Sequence, residues 1–267
     1  MQQAKFEPVN DLERSLVRAA TDPAHRPSFS RDILDSDIFV IQEKQPSGVQ
    51  GLREFQAGEE VALQTWEQDG KKLTAIFSSL DRLLDFVQAE SGYLQMKARD
   101  FMGLTLGTTL LLNPGSEYGK EFLPAEVESM LDGSIWKPQE TITFEKETKV
   151  FMGQPANYPD ELIDALTRYF KTANNVQRAY LAHVYNPERN EKSHTLIAIE
   201  VDGEWEQVAG GAGMVVDAVN VPDPPVDFMR VGGKEGNNIQ LLESMKLFYD
   251  VSAGSESIRH SPWWKFW

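Results

Sequence analysis

The chain of 267 residues contains no cysteine. Disulfides, thiolate metal sites, iron–sulfur clusters and cysteine nucleophiles are excluded together. That absence fits a reducing compartment, and the cytoplasm is the expected location. Long apolar runs are also lacking. The longest, around Leu104–Leu112, is broken by Thr105, Gly107, Thr108 and Thr109, and it falls well short of the about 20 residues a membrane helix needs. Stable membrane insertion is therefore not expected. The opening residues Met1-Gln2-Gln3-Ala4-Lys5 carry no apolar segment, so a secretory signal is not expected either. Positive charge is scarce: 26 Lys and Arg face 41 Asp and Glu, a formal net charge of −15. Up to and including Glu145 the counts are 14 against 24, and beyond it 12 against 17, so neither half is basic. The longest basic cluster is Lys71-Lys72. Nucleic acid is not an expected partner, because its binding draws on clustered Lys and Arg.

Catalytic signatures are equally thin. Of the four histidines, His183 and His194 fall on neighbouring expected strands and could face each other as two ligands. Zinc takes three or four ligands, and neither H-x-x-x-H nor HExxH is present, so no metal and no cofactor is expected. G-x-S-x-G is missing, and Gly254-Ser255-Glu256-Ser257 belongs to a polar tail, not a nucleophile elbow. Carboxylate pairs such as Asp35/Asp37, Glu59/Glu60 and Glu204/Glu206 arise readily in an acidic chain, and nothing ties them to a pocket. Catalysis is thus not expected.

What is present is an ordinary globular composition, 41% hydrophobic and 25% charged, which supports a folded chain. Asn10 and Glu13 have capping-box spacing ahead of a helix with Leu12, Leu16, Ala19 and Ala20 on one face. Asp22-Pro23 stops it. A short helix over 30–34 then feeds a strand over 38–42. Residues 45–58 read as a surface loop. Strands over 61–68 and 71–77 are joined by Asp69-Gly70, a strong hairpin signal. A helix over 80–89, a strand over 93–97, a helix over 98–104, a strand over 109–112 and a helix from Pro124 to Leu131 complete the first domain. The second half reads as strand 150–152, helix 160–172, strands 176–185 and 194–201, helix 207–218, strand 226–230 and helix 239–249. The expected class is α+β, with two small mixed sheets each packed with helices. The C-terminal element order, β-α-β-β-α-β plus a helix, is ferredoxin-like. The expected organisation is an N-terminal domain over 1–132, a linker over 133–148, a C-terminal domain over 149–251 and a tail over 252–267.

Three stretches, Asp22-Pro23-Ala24-His25-Arg26-Pro27-Ser28-Phe29, Ala75-Ile76-Phe77-Ser78-Ser79-Leu80 and Leu111 to Phe122, together resemble the enhanced serine sensitivity family, SseB. So do Pro155-Ala156-Asn157-Tyr158-Pro159, Val226-Asp227 and Leu247-Phe248-Tyr249 in the second half. The resemblance runs from about Leu12 to Tyr249. It implies an N-terminal domain joined to a distinct C-terminal one, a bacterial source and a link to serine sensitivity. It brings no catalytic residues.

Four segments stand out as candidate sites. Ala209-Gly210-Gly211-Ala212-Gly213 could let backbone N–H groups approach a phosphate, or simply form a tight turn or helix start. Val231-Gly232-Gly233-Lys234-Glu235-Gly236 reads as a hairpin-like loop that could take an anion. The loop Asn113–Gly119 could present Tyr118 and Lys120 to a partner, or serve only as a turn that ends a buried strand. The tail closes with Trp263-Trp264-Lys265-Phe266-Trp267, three tryptophans and a phenylalanine in five residues. Large aromatics with few rotamers to freeze are suited to anchoring. Trp263, Trp264, Phe266 and Trp267 could dock on a protein partner, mediate self-association, fold back on their own chain or sit at a membrane interface. The expected role is a non-enzymatic binding or regulatory protein. The alternative is a small-molecule sensor, with a ligand between the domains or near Gly210–Gly213.

Overall fold

The computed structural model describes residues 6–43, 62–68, 70–87, 91–137, 150–187, 192–232 and 242–253. The chain divides into two compact units, residues 1–135 and 136–267, each with its own mixed sheet and helices.

In the first unit, Asn10 caps helix α1 (Asp11–Thr21) by accepting the Glu13 N–H at 2.9 Å, which satisfies a donor the helix start leaves bare. Leu12, Leu16 and Ala19 are buried on its inner face. Burying a leucine of this kind is worth about 1.5–3 kcal/mol. Asp22 leaves the helix in extended backbone and caps the single turn Pro23–His25 through Ala24 N–H at 3.0 Å. Helix α2 (Arg26–Asp35) starts well before the expected Ser30, because Pro27 suits a first helical turn.

Strands β1 (Asp37–Ile41), β2 (Trp66–Gln68), β3 (Lys71–Phe77), β4 (Tyr93–Lys97), β5 (Thr109–Leu112) and β6 (Lys120–Phe122) form one sheet in the order β4-β1-β3-β5-β6. β2 shares an edge of β3 with β1: Trp66 pairs with Leu73 at one end, Phe39 with Phe77 at the other. Only β3 and β5 run parallel within it. Helices α3 (Leu80–Val87), α4 (Ala98–Leu104) and α5 (Pro124–Asp132) complete the unit. Alternation along β1 sends Ile38 and Val40 to the larger core, with Ile76, Leu110, Leu112, α1, α2, α4 and α5. It sends Phe39 and Ile41 to a smaller one with Ala75, Phe77 and Leu83 of α3. The expected strand over 61–68 is strand only from Trp66; Leu63 makes an isolated bridge to Gln42. Val61 and the loop over 45–58 lie outside the described residues.

In the second unit, β7 (Phe151–Gly153), β8 (Val176–Tyr185), β9 (His194–Val201), β10 (Val226–Val231) and β11 (Lys246–Asp250) form the sheet β10-β9-β8-β11, with β7 also on β8. Helices α6 (Asp160–Ala173) and α7 (Trp205–Val216) pack against each other. Two expectations are corrected here. The ferredoxin-like topology is not formed: β7 and β8 flank α6 in sequence yet pair antiparallel as neighbours, whereas a split βαβ unit would leave a strand position between them. The residues at the end of the expected helix over 239–249 form a strand instead. Pairing with β8 serves that backbone, and a register shift between Leu247 and Tyr249 breaks strict alternation. Consecutive Phe248 and Tyr249 are thereby both buried, with ring centroids 6.3 and 5.6 Å from Phe170.

Candidate functional site

A dense polar cluster lies at the junction of α1, α3 and the end of β5. Glu13 is 0% exposed. Its Oε1 accepts from the Ser78 and Ser79 hydroxyls, each at 2.9 Å, and from Arg82 Nε at 3.3 Å. Its Oε2 accepts from Val9 N–H and from Arg82 Nη2, each at 3.0 Å. The last contact makes a largely buried ion pair. Ser78 has one hydroxyl proton, and the carboxylate is the stronger acceptor. The Ser78 oxygen then accepts from Asn113 Nδ2 at 2.8 Å, while Asn113 Oδ1 accepts the Ser78 N–H at 2.9 Å. Asn10 Nδ2 adds a bond to the Ser78 carbonyl at 2.7 Å. Burial alone would push the Glu13 carboxyl up, but Arg82, the Val9 N–H and the two serines together hold it below the ordinary carboxylate range. A carboxylate with this many donors and no exposure is held ionised and cannot serve as a general base. It is a structural centre that ties the helix start at Asn10 to Asn113, where β5 ends.

The loop Asn113–Gly119 is shaped by the same cluster. Asn113 adopts φ 49° and Gly115 φ 79°, both left-handed. A Cβ on Gly119 would lie 2.6 Å from the Leu112 carbonyl oxygen, so this turn closes only on glycine. Glu117 Oε2 accepts the Phe6 N–H at 3.0 Å, and the Phe6 ring meets Tyr118 edge-on at 5.2 Å. The Arg82 guanidinium stacks over Phe6 at 3.8 Å. Tyr118 is thus half-buried and packs on the larger core. Lys120 lies on β6, an element not foreseen from the sequence, and pairs with Glu126 at 2.8 Å.

In the second unit the register of β8 and β9 separates the two candidate histidines. His183 pairs with Thr195 and His194 with Val184, which sends the rings to opposite faces of the sheet. They cannot share a metal, and no group of three His, Asp or Glu suited to one occurs among the described residues. His194 has both ring nitrogens engaged: Nε2 with Asp227 Oδ2 at 2.8 Å and Nδ1 with the Lys192 carbonyl at 3.1 Å. His183 Nδ1 and Asn175 Oδ1 are buried without a hydrogen-bond partner among the described residues.

The glycine-rich segment 209–213 proves to be the interior of α7, not its start. A Cβ on Gly211 would strike the Tyr169 hydroxyl and one on Gly210 the backbone of Trp136. These glycines serve close packing, so their N–H groups are not presented to a phosphate. In the second glycine segment, Gly232 adopts φ 77° beside Glu200, and residues 233–236 lie outside the described residues. So do Trp263, Trp264, Phe266 and Trp267. Among the described residues no helix is long and apolar enough to cross a membrane.

Fold and polar clusters together define a two-unit α+β protein whose buried ionic centre serves its own architecture. Two family models match the chain: the SseB protein N-terminal domain over residues 12–129 and the SseB protein C-terminal domain over residues 144–250. Protein SseB of Escherichia coli (strain K12) and Protein SseB of Shigella flexneri are each 33% identical over 248 residues, covering 91% of this chain and 93% of the relative. No solved structure matches. The chain belongs to the SseB family.

Proposed function

We propose that this protein is a non-enzymatic binding or regulatory protein of the bacterial cytoplasm that docks a protein partner through Trp263, Trp264, Phe266 and Trp267. The observation that carries this reading is the aromatic end of the chain itself. Three tryptophans and a phenylalanine stand in its last five residues, behind Gly254-Ser255-Glu256-Ser257. Such side chains give large contact area at small entropic cost. The saturated carboxylate of Glu13 supports the same reading, because this buried charged cluster is committed to the fold. Tyr118 and Lys120 are secondary contacts, each presenting its remaining exposed surface. The family resemblance connects this role with serine sensitivity.

The test is affinity purification from native lysate with the full chain, a chain ending at Gly254, and a full chain carrying Trp263→Ala, Trp264→Ala and Trp267→Ala. One partner retained by the full chain and lost from both variants is expected. The same partner recovered with all three would remove the tail from the account.

One observation favours a second reading, a sensor of an amino-acid-related ligand. An open surface depression of about 380 Å³ in the first unit is lined mainly by polar groups of Gln42, Glu43, Leu63, Gln64, Thr65, Ser91 and Gly92. That size falls in the range of small-molecule sites, about 300–1,000 Å³. A thermal-shift screen with free amino acids tests it. A rise in Tm that grows with ligand concentration and is lost in Gln64→Ala supports the sensor; no rise with any amino acid sinks it.

A further inference from the structure

Strand β4 stands at the edge of the first unit's sheet, with β1 as its neighbour. Its pairing with β1 fixes which backbone groups face outward. Ala98 N–H bonds to the Ser36 carbonyl and Gln42 N–H to the Gly92 carbonyl. Asp37 stands opposite Lys97 and Ile41 opposite Tyr93. In an antiparallel ladder the hydrogen-bonded pairs alternate with unbonded ones. Gly92, Leu94, Met96 and Ala98 therefore bond inward. The N–H and C=O groups of Tyr93, Gln95 and Lys97 point away from β1. Among the described residues no strand pairs with that edge.

The side chains of β4 are also arranged for a strand like itself. Leu94 and Met96 are only half-buried, although both pack on the larger core. Tyr93, Gln95 and Lys97 are exposed on the other face. Tyr93 is 43% exposed with its ring tilted against Phe39 at 6.0 Å. Suppose a second β4 runs antiparallel about a twofold axis at Gln95. Then Gln95 meets Gln95, each Tyr93 meets the other copy's Lys97, and each Leu94 meets the other copy's Met96. Every outward N–H finds a carbonyl. The half-buried apolar pair continues across the junction, and an aromatic ring stands opposite a cationic side chain. No like charges face each other. A parallel pairing or a one-residue slip loses this match.

The geometry points to a homodimer in which β4 of two copies pair antiparallel about Gln95 and extend the first unit's sheet across both chains. Each copy carries a net charge of −15, so the copies repel at long range. Added salt should strengthen the dimer by screening that repulsion.

The test is sedimentation velocity of the full chain over a concentration series at low and moderate salt. A monomer–dimer equilibrium that tightens with salt is expected. Gln95→Pro removes the outward N–H and leaves the β1 backbone ladder intact, as proline at a free edge does; the other loss is the long, exposed 3.5 Å bond from Gln95 Nε2 to Asp37 Oδ2. It should raise the dimer Kd about tenfold or more, with an unchanged circular dichroism spectrum. Gln95→Lys provides a second variant without backbone change. It lowers the net negative charge, which by itself would favour association, yet it sets two lysines face to face at the axis. A raised Kd supports the pairing, and a lowered Kd overturns it. A chain ending at Gly254 should dimerise like the full chain. A monomer at every concentration, or a dimer lost with the tail, overturns the proposal.

Discussion

Glu13 in the first unit and His183 in the second both bring polar atoms into a core, yet they are treated differently. Glu13 receives donors from Val9, Ser78, Ser79 and Arg82. His183 Nδ1 receives none among the described residues. The difference follows from charge. An unmatched ionised carboxylate in a core costs several kcal/mol, so it persists only when saturated. A single buried polar atom left without a partner costs about 1–3 kcal/mol, which one unit can absorb. The first unit is therefore pinned by a polar knot. The second relies on the fit of apolar and small residues, as Gly210 and Gly211 against Trp136 and Tyr169 show.

The largest expected effect comes from breaking the knot on one side. Arg82→Met strands the buried carboxylate and should cost the first unit about 3–5 kcal/mol in urea unfolding. The double replacement Glu13→Leu, Arg82→Met should cost less than Arg82→Met alone, because no charge is then left unpaired. A single-variant cost under about 1 kcal/mol would class the pair with exposed ion pairs and erase the contrast between units. Acid probes the same knot. With the Glu13 carboxyl held below its ordinary value in the folded state, the unfolded chain binds more protons across that interval. Its contribution is complete above the unfolded-state value and is lost as pH falls through the lower folded-state value. Urea midpoints measured downward from neutral pH should fall less steeply in Glu13→Gln than in the parent chain.

Next in size is the glycine packing of α7. Gly211→Ala should cost about 1–3 kcal/mol, since the new methyl meets the Tyr169 hydroxyl. Gly213→Ala in the same helix meets nothing within 4 Å. It should gain about 0.5–1 kcal/mol from helix preference. Opposite signs two residues apart, read by thermal unfolding, sharpen the case for close fit; equal signs break it. Smallest is Lys120→Ala. Its partner Glu126 and its own side chain are both partly exposed, so the loss should stay within about 1 kcal/mol.

The sequence pattern located much of this architecture. β3, β4, α4, β5, β8 and β9 fall where the alternation and spacing of their residues put them. Each carries a local signal: a Gly70 turn, a run of alternating apolar residues, or a helical period. The end of the chain's last expected helix failed because Leu247-Phe248-Tyr249 fits a helix by spacing alone. Pairing with β8 and burial against Phe170 override that preference. The polar knot was half legible. Asn10 and Glu13 announce a capped helix by their spacing. Arg82 lies 69 residues from Glu13, and no local spacing links them. The histidine pair illustrates the reverse case: a turn length suggested that they met, and register kept them apart. The aromatic tail lies outside the described residues and beyond residue 250, where the family match ends.

The shared edge of β8 carries one more consequence. β7 pairs with residues His183 to Tyr185 and β11 with residues Arg178 to Leu181. A single strand position is thus filled by two pieces of chain, and Gln154 Nε2 donates to the Ser244 carbonyl at 3.3 Å where they meet, 90 residues apart. β8 and β9 are near neighbours in sequence, whereas this seam joins segments far apart in the chain, at an entropic cost that grows with the length of chain between them. Assembly of the second unit should therefore begin at the β8–β9 pair and finish at the seam. In pulse-labelled hydrogen exchange, amides of β8 facing β9 should become protected before those facing β7 and β11.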